Sequence, residues 1–155
     1  MVGGSSETRY ASAHLRRAAT RLLAQEAGGA PETSESLAAA SGRLLDTLSQ
    51  RLAQVVGPAG VRSIFLRAVR LRKSEFAFLD ERIVPGDNRD GLAEPLRACL
   101  QQHEPDVIRE VWVALFATFV GLLATVIGDR LTWSLLEQIW PDTLRPRTEF
   151  QETEQ

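Results

Sequence analysis

Cys99 and His103 stand four residues apart, a spacing that can place a thiolate and an imidazole on one face of a helix. Two ligands do not hold a metal, and the chain has one cysteine and two histidines in all. The pair therefore reads as a buried thiol and an imidazole favoured by the C-terminal end of a helix dipole. Nucleophilic catalysis needs a Ser or Cys, a base and a group that orients the base. Neither His14 nor His103 has a recognisable partner of that kind. Asp87 with Asp90, and Glu104 with Asp106, are carboxylate pairs such as any acidic surface carries. No catalytic residue, cofactor site or metal site is assigned, and the chain is read as non-enzymatic.

The cations are more informative. Residues 62–73 carry five of them and no acid. Arg62, Arg67, Arg70 and Lys73 fall opposite an apolar side, where they suit a solvated or partner-facing surface; a basic helix could also track phosphate. Arg72 breaks the pattern, because at 100° per residue it lands inside the apolar arc. A charge there must be paired or it costs several kcal/mol. Glu75, three residues on, and Asp129, from another helix, are the candidate carboxylates. An anion held by the forked guanidinium is the functional alternative. Residues 80–110 have the opposite balance, with eight acids against four bases, so the two regions could attract each other within or between chains. Trp133 and Trp140, seven apart with Leu136 between them, form a face that can be core, a contact surface or an interfacial anchor.

These residues need elements to position them, and the elements read as helices. Leu and Ala dominate, and β-branched runs are scarce. Residues 111–128, VWVALFATFVGLLATVIG, are eighteen positions without a charge. Apolar side chains point all round such a helix, so it is buried in protein or in lipid. Its length of roughly 27 Å falls just short of a ~30 Å hydrocarbon core. Ala114, Gly121 and Gly128 recur every seven residues and would let a neighbouring helix come close. The amphipathic helices before it need a partner for their apolar faces, and a central core helix supplies one.

In order, a weak helical pattern over residues 7–25 has Ala11, Leu15, Ala18, Ala19 and Leu22 on one side and four arginines largely elsewhere. It is read as a peripheral helix, with an Arg-rich targeting segment as the alternative. Gly28, Gly29 and Pro31 end it, and Thr33 or Ser34 caps the next helix. That helix, over 34–56, carries the cleanest stripe: Leu37, Leu44, Leu48, Leu52 and Val55. Gly57-Pro58 ends it and starts a third over 58–79. A loop over 80–91, a short helix over 92–103, the central helix over about 105–127 and a last helix over 129–140 complete the pattern.

The expected fold is all-α: five to six helices in a compact bundle or array around the central helix. Residues 1–33 are expected to form a flexible N-terminus with the peripheral basic helix and a linker. Residues 34–141 would be the helical core domain, and 142–155 a disordered polar tail. The composition, 44% hydrophobic and 25% charged with a net charge of −2, is ordinary for a globular chain and gives no overall nucleic-acid footprint. One cysteine excludes an intramolecular disulfide and suits the cytoplasm. The expected function is a helical interaction module, an adaptor or regulatory subunit that self-associates, with a protein partner or a second copy as its ligand. A membrane-associated protein using 111–128 and a nucleic-acid-binding regulator using 58–79 are the alternatives.

Overall fold

The computed structural model describes residues 2–28, 31–84 and 91–144, with side chains from residue 13 onward. Among these residues there is no strand. The elements are α1 (Val2–Ala27), α2 (Ser34–Arg72), a 3-10 turn (Glu81–Ile83), α3 (Ala93–Leu100), α4 (Pro105–Ile127), α5 (Asp129–Ile139) and α6 (Pro141–Leu144). The all-α array around a central apolar helix is what the sequence implies. α4 is that helix: it packs against α1, α2 and α5, while α3 lies on α2.

Two glycines set the corners. α2 bends at Gly57 (φ 81, ψ 157), and Pro58 opens its second arm, residues 58–72. α4 stops at Gly128 (φ 93, ψ 154), and α5 starts with the next residue. Both have nearly the same conformation, one that is almost confined to glycine. At the start of α2, Thr33 and Ser36 form a reciprocal capping box. Farther along, Gly42 lies against α3, where a side chain would meet the Ala93 carbonyl oxygen at 3.2 Å. That close approach packs α3 onto the first arm of α2.

Three expectations need correction. First, α1 is not peripheral: Leu15, Ala18, Ala19, Leu22 and Leu23 are buried. Its alanines let the backbone come so near α4 that the Trp112 indole N–H donates to the Ala19 carbonyl at 3.1 Å. Alanine contributes little to an apolar stripe, so the pattern looked weaker than the packing is. Second, the second arm of α2 ends at Arg72 rather than near residue 79. The backbone N–H groups of Glu75 and Phe76 both donate to the Arg72 carbonyl, and the turns that follow bring Leu79 into the core. Third, the polar tail does not begin at 142. α6 continues the fold, with Leu144 buried and the Thr143 hydroxyl donating to Gln25 at 2.8 Å. The rest of that tail, 145–155, and the loop residues 85–90, Asp87 and Asp90 among them, lie outside the described residues.

Candidate interaction surface

The Gly57-Pro58 corner sends the second arm of α2 across α4. Val61, Ile64, Phe65, Ala68 and Val69 form its buried side, and the Phe65 and Phe119 rings meet at 6.5 Å. Beyond that crossing the two helices leave apolar surface uncovered. Leu71 is 47% exposed and Val126 62%. Between them runs an open groove of about 870 Å³, lined by Leu66, Arg67, Arg70, Leu71, Leu122 and Val126 among others. Gly121 and Thr125 are exposed on the same end of α4.

The groove's rim is charged. Arg67 is exposed and makes no ion pair with another described residue. The Arg70 Nε donates to Glu81 at 3.0 Å, and both side chains remain about half exposed. Of the other cations marked in the sequence, Arg62 is half-buried and engaged by its surroundings. Lys73 is exposed at the end of α2. Of the predicted basic set, then, Arg67 and Arg70 line the groove.

Arg72 takes the local one of its two candidate partners. Its Nη1 donates to Glu75 at 2.8 Å, whereas Asp129 sits exposed at the first turn of α5. The Arg72 side chain keeps 26% of its surface exposed, and its buried Nε has no hydrogen-bond partner. The charge is thus relieved by one acid and partial exposure, not by an enclosed site.

The tryptophan face turns largely inward. Leu136 is fully buried and contributes to the core, not to a surface that a partner could reach. Trp133 and Trp140 are half-buried. The Trp133 ring lies 5.4 Å from His14, and Trp140 lies 6.1 Å from Phe116.

Cys99 and His103 do not converge on a ligand. Burial pushes the Cys99 thiol up, which lowers its thiolate content and its reactivity. The His103 ring stacks on Phe78 at 3.8 Å. Its carbonyl accepts a 2.5 Å hydrogen bond from the Ser34 hydroxyl, tying the start of α2 to the turn before α4. Among the described residues no group of His, Cys, Asp and Glu stands close enough to hold a metal ion.

Leu66, Leu71, Leu122 and Val126 are the surface residues that the sequence did not single out. Leu71, Leu122 and Val126 belong to apolar patterns that predict burial, and the way the helices cross leaves them uncovered; Leu66 falls on the basic side of its helix, between Arg70 and Lys73.

Fold and site together define, among the described residues, a helical array with an open apolar groove that has Arg67 and Arg70 in its lining. No family model matches the chain, nor does any curated protein or solved structure.

Proposed function

We propose that this chain is a non-enzymatic helical interaction module, a small adaptor or regulatory subunit, whose contact face is the groove between residues 58–72 and the end of α4. The observation that carries this reading is the exposure of Leu71 and Val126 beside an open groove of about 870 Å³. Exposed apolar side chains set beside charged groups are the kind of surface that interaction sites use. A face built from two well-packed helices also presents it at little ordering cost. One cysteine in the chain suits a reducing compartment, so the cytoplasm is the setting proposed.

The alternatives have less support. α4 is long and apolar enough to cross a membrane by length and composition, but its residues up to Val120 pack against α1, α2 and α5. For nucleic acid, the basic arm has Glu75 and Glu81 beside it, each already bound to an arginine. Those acids weaken the field that phosphate would follow.

The experiment is recovery of what the tagged chain retains in cells, untagged copies of itself included. Leu71→Asp with Val126→Asp should release that material, while Gln50→Asp, on an exposed part of α2's first arm, should not. A retained set unchanged by the double substitution would count against the groove.

A further inference from the structure

From the groove's composition we infer that its occupant is a second copy of this chain, docked about a two-fold axis through the C-terminal end of α4. The inference rests on the reading that the groove is the contact face, and it names the partner. In the most apolar eighteen-residue window of α4, 44% is buried within the chain. The remainder faces outward or is only partly covered, and it includes Leu122, Thr125 and Val126. Homodimer interfaces are the most apolar class of protein contact, and two-fold dimers are the commonest closed assembly.

Charge narrows the choice of occupant. A rim of one sign would repel its own copy. Both signs stand at this groove: Arg67 in its lining, without an ion pair among the described residues, and beside the lining Glu81, bonded to Arg70 with its side chain still 46% exposed. In a two-fold contact each copy brings the same patch, so a cation from one meets an acid from the other and the exchange is reciprocal. An anionic lipid surface would meet Arg67 and Arg70 but be repelled by Glu81. An acidic helix from another protein would face the same repulsion. The surface of α4 also allows close approach. Gly121 and Thr125 are short and exposed, and a side chain added at Gly121 would meet nothing within 4 Å. A second α4 can therefore cross there backbone to backbone.

The test is the mass of the purified full chain in solution, by light scattering and by sedimentation. Twice the chain's 17.1 kDa is expected. Leu71→Asp with Val126→Asp should return the mass to one chain with the circular dichroism unchanged. The milder Leu71→Ser with Val126→Ser serves if the charged pair fails to fold. Arg67→Glu alone should weaken pairing by about tenfold, since it sets acid against acid across the axis. A single-chain mass up to hundreds of micromolar overturns the inference, and so does a dimer that survives both double substitutions. Groove-dependent retention on anionic phospholipid vesicles by a monomeric chain overturns it too. If the chain is monomeric but the groove variant still loses a cellular partner, the second copy is wrong and the interaction module stands. If the variant loses nothing, both fall.

Discussion

The two ends of α4 are made of the same kind of residue and meet different fates. Ile108, Val111, Trp112, Leu115, Phe116, Phe119 and Val120 are all buried. After them, Leu123 alone is still fully buried, whereas Gly121, Thr125 and Val126 are exposed and Leu122 and Ile127 are half-buried. Neither end past Glu110 carries a charge. What differs is the neighbours. The first end has the α1 backbone within reach of the Trp112 indole, Trp140 beside Phe116, and Phe65 against Phe119. The second has the departing arm of α2 and an open groove. Absence of charge thus says that a helix needs cover; the crossing of its neighbours decides how much of it the same chain supplies.

The sharpest way to break that contrast is to shorten one side chain at each end. Phe116→Ala should cost about 3–5 kcal/mol, since it removes a fully enclosed ring and leaves a cavity. Val126→Ala should stay within about 0.5 kcal/mol in the single chain, because its side chain is mostly exposed. Urea unfolding of the two variants, both held monomeric by dilution, measures the difference. Similar losses would mean that both ends are equally buried and that the contrast is wrong.

The corner that follows α4 should be the next most sensitive. At Gly128 the backbone has φ 93 and ψ 154, and an added methyl would meet nothing within 4 Å. Any loss in Gly128→Ala is therefore backbone strain, about 1–3 kcal/mol, and Gly57→Ala should behave alike. An unchanged midpoint in Gly128→Ala would show that the corner relaxes freely and does not hold the end of α4 in place.

These corners are legible in the sequence, because Gly57-Pro58 and Gly128-Asp129 signal through local backbone chemistry. So are both ends of α4 and the Leu37, Leu44, Leu48 and Leu52 stripe of α2, although Val55, assigned to its end, is 43% exposed. For Arg72 the sequence leaves Glu75 and Asp129 both open, and the one within a helical turn's spacing is its partner. The misses share a different cause. α1 was underrated because Ala18 and Ala19 give little apolar signal, yet they allow the closest packing. The end of α2 at Arg72 was missed because Phe76 and Leu79 keep a helical period while reaching the core through turns. Nor could the groove be seen, since periodicity shows which face of a helix is apolar but not where a neighbouring helix leaves it. Leu71 sits in the same apolar arc as Phe65, and only the crossing separates them; Leu66 falls instead among the cations of the opposite side.

The covered end of α4 is also the anchored one, and a smaller perturbation probes that. Ser34, in the first turn of α2, binds the His103 carbonyl just before α4 begins, and Thr33 accepts from the Ser36 N–H at 3.1 Å to cap the start of α2. Thr33→Ala should cost about 1 kcal/mol, read as a shift in the urea midpoint. Hydrogen exchange should rise in the first turns of α2 and spare the second half of α4. Faster exchange at both ends would mean that the ends are mechanically coupled, against the contrast drawn here.

The smallest effect expected is electrostatic, and pH sets its sign. Asp80 accepts a hydrogen bond from the Arg82 backbone N–H, which holds its carboxyl below the usual carboxylate range. The Arg97 side chain, hydrogen-bonded to Glu94, does the same there. A carboxyl whose pKa is lower folded than unfolded contributes stability above the unfolded value and loses it as pH falls through the folded one. Asp80→Asn and Glu94→Gln should therefore each be slightly less stable than the parent at neutral pH, and the deficit should shrink as pH falls below the usual carboxylate range. Both groups lie at the surface, so the losses should be far below those at Phe116 or Gly128. Glu94 lies in α3, which packs on the first arm of α2, whereas Asp80 opens the turn that carries Glu81 to the groove's rim. If the groove is where two copies meet, the Asp80→Asn deficit should grow with protein concentration and the Glu94→Gln deficit should not. Deficits that both persist in acid would point to packing rather than charge, and a concentration dependence shared by both would place the contact somewhere other than the groove.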